Sequence, residues 1–127
     1  MKITKEELIQ KAREAMKNSY SPYSSFCVGA ALLCADGTVY LGTNVENISY
    51  GATCCAERSA FFSAISNSNK EFEAIAITAT KTPCYPCGIC RQVMAEFCDK
   101  DFKIYIDNGD SVTEKSLDEL LPESFDF

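Results

Sequence analysis

Two short cysteine-containing fragments carry the residues best suited to chemistry. They read Cys-Ala-Glu-Arg at residues 55–58 and Pro-Cys-Gly-Ile-Cys-Arg at residues 86–91. Cysteine thiolates are strong ligands for zinc, and a carboxylate beside a metal-bound water can accept a proton from that water. The two fragments therefore predict a metal site with an acid–base group next to it.

The spacing within the fragments predicts which side chains bind the metal. Cys87 and Cys90 lie three residues apart at the start of a predicted helix, so their sulfur atoms face one way. Cys55 begins another predicted helix, and the N-terminal end of a helix dipole favours a thiolate. Three thiolates would bind one Zn²⁺ per chain and leave the fourth tetrahedral position to water, as in catalytic zinc sites. Glu57 is close enough to Cys55 in sequence to move the proton of that water.

Two arginines follow the predicted ligands. Arg58 and Arg91 each fall in the first turn of a predicted helix, where a cation normally opposes the helix dipole. A zinc ion with three thiolates carries a net negative charge, which would stabilise cations at both positions. We therefore interpret Arg58 and Arg91 as charges that surround the metal site without binding the metal.

Other cysteines leave two alternatives open. Cys84 extends the second fragment to a C-x₂-C-x₂-C run, which resembles the beginning of an iron–sulfur ligand set. The second alternative is a structural four-cysteine zinc site completed by Cys84 or Cys54, and Cys54 also competes with Cys55 as a ligand. Neither alternative explains Glu57, and the distance from Glu57 along the chain favours Cys55.

Hydrophobic periodicity predicts the elements that must position these fragments. The predicted order is α-β-β-α-β-α-β-α, with a mixed sheet and helices on both of its faces. A capping box formed by Thr4 and Glu7 begins the first helix, which ends before Ser21. The later elements comprise strands at 27–34, 39–41, 73–80 and 103–107, helices at 55–65 and 87–98, a turn at 108–109, and a last helix capped at 116 and 119.

Composition limits the class of protein. The 127 residues, 46% of them hydrophobic, fit one globular domain covering residues 1–127. The net charge of −6 argues against binding to nucleic acid or to an anionic membrane. The longest apolar run has ten residues, and charged residues occupy the position of a signal peptide. We therefore expect a cytoplasmic location, where the eight cysteines stay reduced.

A Cys-x-Glu fragment followed by Pro-Cys-x-x-Cys is the pattern of zinc-dependent deaminases. Four further segments, at 20–24, 26–30, 44–47 and 120–125, extend the similarity. The chain therefore resembles the small homotetrameric cytidine deaminases over nearly its whole length. The resemblance implies a three-layer α/β/α fold. It also implies hydrolysis of cytidine or deoxycytidine to the uridine product and ammonia, a step of pyrimidine salvage. Nucleic-acid editing is disfavoured by the acidic charge, and blasticidin-type deamination is disfavoured by the segment at 44–47.

The same resemblance implies roles for residues of the site. Glu57 would take a proton from water, protonate N3 of the base and then protonate the departing amine. Asn44 and Glu46 would hold the ribose 3′-hydroxyl group of a free nucleoside. The Ala56 backbone would bind the base, and Phe26 would pack on its ring.

The resemblance further implies an active site shared between subunits of a homotetramer. Tyr50 and Phe125 would reach the pocket of a neighbouring subunit, although the sequence fits packing within one subunit equally well. One position departs from the family pattern. Tyr85 replaces the small Ser or Thr that commonly precedes the Pro-Cys dipeptide.

Overall fold

A computed structural model describes residues 3–126. It contains four helices, five strands and a short 3₁₀ turn at Tyr50–Ala52. In chain order, the helices and strands are α1 (Lys5–Met16), β1 (Val28–Cys34), β2 (Val39–Thr43), α2 (Ala56–Ser66), β3 (Phe72–Ala79), α3 (Gly88–Phe97), β4 (Lys103–Asp107), β5 (Val112–Ser116) and α4 (Leu117–Leu120).

The five strands form one mixed sheet in the order β2-β1-β3-β4-β5. Only β3 and β4 pair in parallel, and the other neighbours are antiparallel. The predicted element order is wrong at one point, because it lacks β5. This edge strand reads Val-Thr-Glu-Lys-Ser and has no fully buried residue, so its apolar pattern is too weak to predict a strand.

Helices cover both faces of the sheet. Alternate residues of β1 point to opposite faces, so Ala31 and Leu33 pack with α1, while Ala30 and Leu32 pack in the larger core with α2 and α3. The predicted three-layer α/β/α architecture with a mixed sheet is therefore confirmed. In the range 3–126, no helix combines the length and apolar character that crossing a membrane requires.

A glycine on β2 lets α2 approach the sheet closely. A Cβ atom placed on Gly42 would lie 2.2 Å from the Ala56 carbonyl oxygen and 2.5 Å from the Ala60 nitrogen. Any larger residue would therefore push away the first turn of α2. That turn follows Cys55 and contains Glu57, so this contact fixes the positions of these two residues of the predicted metal site.

A buried carboxylate ties α1 to the end of β4. Asp107 accepts hydrogen bonds from Arg13 Nε at 2.8 Å and Nη2 at 2.9 Å. It also accepts from the Thr78 hydroxyl at 2.7 Å and the Gly109 N–H at 2.8 Å. The hydrogen bond from Arg13 is the main reason that the pKa of Asp107 lies below its usual range. The carboxylate is therefore fully satisfied in its charged form.

We expect Asp107→Asn to lower the free energy of unfolding by roughly 2–3 kcal/mol, because it breaks a paired buried charge. The pKa of Asp107 is lower in the folded state than in the unfolded state. Its contribution is therefore complete above the unfolded pKa of about 3.9 and declines as pH falls through the folded value. Urea denaturation at pH 7 and at lower pH measures both effects.

The matched control is Glu114→Gln, since Glu114 forms an exposed ion pair with Lys103 at 3.6 Å. This control should change stability by about 0.5 kcal/mol or less. Equal losses in the two variants at pH 7 would contradict the assigned contribution of Asp107.

Candidate active site

Three cysteine sulfur atoms meet at the N-terminal ends of α2 and α3. Cys55 is the N-cap of α2, Cys87 is the N-cap of α3, and Cys90 lies in the first turn of α3. The Cys55 and Cys87 sulfurs are 3.8 Å apart, and the Cys87 and Cys90 sulfurs are 3.4 Å apart. Sulfurs bonded to one tetrahedral zinc at about 2.3 Å lie about 3.8 Å from one another. The three thiols therefore fit a zinc ion.

No other group of three potential ligands of this type occurs in residues 3–126, and all three sulfurs lie within 4.8 Å of one another. Neither Cys54 nor Cys84 belongs to this group, although both are half-buried thiols. A donor set of three thiols leaves the fourth position of a tetrahedral zinc open. The geometry therefore favours a catalytic zinc site over the four-cysteine and iron–sulfur alternatives.

Arg58 supplies positive charge to the cysteine group. Its Nη2 atom lies 3.4 Å from the Cys55 sulfur and 3.5 Å from the Thr53 carbonyl oxygen. Hydrogen bonds from Cys90, and then from Arg58 and Cys87, lower the pKa of Cys55 to about 5. A metal ligand in this position is thus stabilised as a thiolate.

Arg91 makes different contacts. Its Nε atom donates to the Pro86 carbonyl oxygen at 2.8 Å, and its Nη1 atom donates to the Leu120 carbonyl oxygen at 2.7 Å. These two bonds connect α4 to the segment immediately before Cys87. Arg91 therefore holds the main chain that leads into Cys87.

Glu57 is a buried carboxyl group beside the cysteines. It is the second residue of α2, and only 3% of its surface is exposed. Burial raises the pKa of Glu57 to about 7, and the negative charge of Cys55 acts in the same direction. A carboxyl group in this environment can both accept and release a proton near neutral pH.

Asn44 is held by the start of β1. Its buried Oδ1 atom accepts hydrogen bonds from the Val28 N–H at 2.9 Å and from the Ser19 hydroxyl. Its Nδ2 atom donates to the Phe26 carbonyl oxygen at 2.8 Å. Since an amide nitrogen has two hydrogens and its oxygen has two lone pairs, Asn44 retains one donor for a ligand.

Glu46 binds the loop that precedes β1. Its Oε1 atom accepts from the Tyr23 N–H at 2.9 Å and the Ser24 N–H at 3.1 Å, and its Oε2 atom accepts from the Ser24 hydroxyl. The hydroxyl of Ser24 is the main cause of the lowered pKa of Glu46. Glu46 lies on a cavity of about 260 Å³ that is lined by Tyr23, Ser24, Glu46, Asn47, Tyr50 and Thr53.

Main-chain pairing joins this loop to the cysteine group. Val45, between Asn44 and Glu46, donates to the Cys54 carbonyl oxygen at 2.9 Å and accepts from the Cys54 N–H at 3.0 Å. The next residue along the chain is Cys55. The structure thus places the predicted sugar-binding segment against the residue that leads into α2.

The predicted base-binding residues flank the same elements. Ala56 is fully buried as the first residue of α2, where its N–H belongs to the turn that has no intrahelical acceptor. Phe26 is half-buried at the edge of the larger core, two residues before β1.

The three aromatic residues singled out in the sequence are exposed in the single chain. Tyr50 is 77% exposed and makes an edge-to-face contact with Tyr23, at 6.3 Å between ring centroids. Phe125, in the C-terminal segment, is 74% exposed. Tyr85 is 41% exposed and precedes the buried Pro86.

A mixed-sheet α/β fold with a three-thiol metal site and a buried glutamate defines a class of zinc-dependent hydrolytic enzymes. Residues 2–106 match the family model described as the cytidine and deoxycytidylate deaminase zinc-binding region. The chain belongs to this deaminase family.

Individual relatives agree with this family over almost the full length. The chain is 52% identical to a cytidine deaminase of Halalkalibacterium halodurans, over 97% of this chain and 95% of the relative. It is 49% identical to a cytidine deaminase of Sporosarcina psychrophila, over 94% and 90% of the two chains. The crystal structure of a cytidine deaminase from Burkholderia pseudomallei superposes with a TM-score of 0.93 at 44% identity, covering 97% of this chain and all of the other.

Proposed function

We propose that this deaminase acts on free cytidine or deoxycytidine, releasing ammonia and the uridine product, and that Glu57 moves the protons. The observation that carries the proposal is the position of Glu57, buried two residues after Cys55, a member of the three-thiol group. Zinc, when held by Cys55, Cys87 and Cys90, acts as a Lewis acid that makes water a strong nucleophile near neutral pH.

The proton transfers account for each atom of the reaction. The oxygen of water adds to C4 of the base, N3 gains a proton, and the amine on C4 leaves as ammonia. Glu57 takes one proton from the water and delivers it to N3, then takes the remaining proton from the oxygen now bonded to C4 and delivers it to the amine, so that ammonia leaves as the C4 carbonyl forms. Because Glu57 is buried, it is shielded from exchange with bulk water during these transfers.

The surroundings of Glu46 favour a free nucleoside over a nucleotide. The cavity beside Glu46 is lined by neither lysine nor arginine, and Glu46 itself is stabilised in its charged form. A phosphate group would be repelled there. Following the ultraviolet absorbance of cytidine, deoxycytidine and deoxycytidylate with the purified protein tests this assignment. Faster turnover of deoxycytidylate than of either nucleoside would contradict it.

Asn44 and Glu46 together are suited to one sugar hydroxyl. The remaining N–H of Asn44 can donate to the oxygen of the ribose 3′-hydroxyl, and the Glu46 carboxylate can accept its proton. The first N–H of α2, at Ala56, would bind the base, and Phe26 would pack on the ring. These assignments follow the family resemblance and agree with the donors and acceptors described above.

We expect Asn44→Asp to reduce kcat/KM for cytidine by roughly 10²-fold. The side chain keeps its shape but loses the donor to the sugar, and a carboxylate oxygen would then face the Phe26 carbonyl oxygen. Steady-state kinetics measure the loss, and zinc content monitors the integrity of the site. The control is Asn18→Asp at an exposed position after α1, which should leave kinetics unchanged. Unchanged kinetics in Asn44→Asp would remove Asn44 from the site.

We also propose that the protein is a homotetramer in which Tyr50 and Phe125 complete the pocket of an adjacent subunit. Both aromatic side chains are about three-quarters exposed in the single chain, and burying each would favour association by roughly 1.5–3 kcal/mol. The cytoplasm is the proposed location, because the thiols of the metal site must remain reduced to bind zinc.

Mixed oligomers test the sharing of active sites. One variant carries Glu57→Gln and the other carries Tyr50→Ala with Phe125→Ala, and the two are unfolded, mixed and refolded together. We expect activity above the average of the separate variants, because some sites combine an intact Glu57 with both aromatic residues of a partner. Light scattering checks the tetramer. A monomer, or activity no higher than that average, would contradict sharing.

A further inference from the structure

The hydroxyl group of Ser24 joins two parts of the proposed nucleoside site. Its hydrogen is donated to Oε2 of Glu46, and its oxygen accepts the Phe26 N–H at 3.0 Å. The Ser24 N–H also donates to Oε1 of Glu46 at 3.1 Å. One short side chain therefore contacts both the carboxylate assigned to the sugar and the backbone of the residue assigned to the base.

The loop around Ser24 is folded to make these contacts. The Ser25 N–H donates to the Ser21 carbonyl oxygen at 3.0 Å, and Ser25 has a positive φ of 59°. This turn brings the N–H groups of Tyr23 and Ser24 to the same carboxylate oxygen. Glu46 thus receives three donors from two adjacent residues, which fixes both of its oxygens.

We propose that Ser24 is a positioning residue for nucleoside binding, which orients the Glu46 carboxylate toward the sugar hydroxyl and holds the Phe26 backbone beside it. This inference rests on the proposed contact between Glu46 and the 3′-hydroxyl group. Ser24 itself contacts neither the metal site nor the reacting atoms in this assignment. Its removal should therefore weaken substrate binding much more than it slows the chemical step.

The test compares two substrates, cytidine and 3′-deoxycytidine, in Ser24→Ala. We expect KM for cytidine to rise about tenfold with kcat changed by roughly twofold or less, since a hydrogen bond to a charged group is lost. For 3′-deoxycytidine, which lacks the hydroxyl group, the rise in KM should be at least about threefold smaller. A purely structural role would affect the two substrates equally.

Matched variants separate the role of the hydroxyl from general damage. Ser66→Ala makes the same chemical change at the exposed last residue of α2 and should leave both substrates unaffected. Ser24→Thr keeps the hydroxyl group and should restore cytidine binding. If Ser24→Ala does not fold, Ser24→Cys keeps the size with only a weak donor and should show the same substrate-dependent loss.

Glu46→Gln is the reference variant, because it tests the proposed contact between Glu46 and the sugar separately from the proposed role of Ser24. If Glu46→Gln discriminates between the substrates and Ser24→Ala does not, the role of Ser24 is overturned while the sugar contact stands. If neither variant discriminates, the sugar contact is wrong and the role of Ser24 is overturned with it. A loss in Ser24→Ala that is specific to cytidine supports the proposal.

Discussion

Glu57→Gln is expected to slow turnover of cytidine by at least about 10²-fold, and by as much as 10⁴-fold. Glutamine keeps the size of the side chain but cannot take a proton from water or return one to N3 and the amine. Because Glu57 is not among the three sulfur donors, zinc should remain bound, and nucleoside binding should persist. Single-turnover kinetics with elemental analysis and calorimetric titration of cytidine separate these effects.

The control for Glu57→Gln is Glu114→Gln, which makes the same change on the exposed edge strand β5. It should retain the activity of the unmodified protein. Turnover of Glu57→Gln within a few-fold of normal, with zinc bound, would mean that another group transfers the proton.

Replacement of Cys55, Cys87 or Cys90 by alanine should remove both zinc and activity. Each substitution leaves two of the three sulfurs that fit the metal, and zinc sites with too few donors lose most of their affinity. Elemental analysis of the purified variants, with activity measured on the same samples, gives the result directly.

Cys54→Ala is the matched control, because Cys54 is adjacent to Cys55 and its sulfur lies outside the three-thiol group. Cys84→Ser tests the other neighbouring cysteine in the same way. Both variants should keep a full complement of zinc. Loss of zinc in Cys84→Ser would indicate a closed four-cysteine site, and visible absorbance of the native protein would indicate iron–sulfur chemistry.

Features that depend on local sequence could be predicted well. The capping boxes at Thr4 and at Ser116 both form, and Cys55 and Cys87 both occupy N-cap positions as the helix signals indicate. Spacing within one turn of a helix fixes which side a thiol faces. The metal group was therefore predictable from two fragments of six residues or fewer.

Features that depend on distant contacts could not be predicted in this way. Arg13 and Asp107 are 94 positions apart, and no local pattern indicates that they pair. Ser24 and Glu46 are 22 positions apart, so the loop that they form emerges only when β1 and the segment after β2 come together. Edge strand β5 was missed because pairing with β4, rather than its own apolar pattern, specifies it.

Arg58 and Arg91 show the same difference between local features, which the sequence predicts, and distant contacts, which it does not. Their position in the first turn of a helix was readable from the sequence, but their contacts were not. Arg58 reaches the Cys55 sulfur, whereas Arg91 donates to the carbonyl oxygens of Pro86 and Leu120. The difference arises because α4 packs beside α3 and offers Arg91 acceptors that no local pattern predicts.

Measuring the conversion of cytidine to uridine and ammonia at increasing zinc occupancy tests the assigned chemistry most directly. The metal is first removed with a chelator and then restored in steps, with bound zinc and both products quantified at each step. We expect one uridine and one ammonia for every cytidine consumed, at a rate proportional to bound zinc up to one ion per chain. Full zinc occupancy without loss of cytidine, or an undiminished rate in the zinc-free protein, would contradict a zinc-dependent cytidine deaminase.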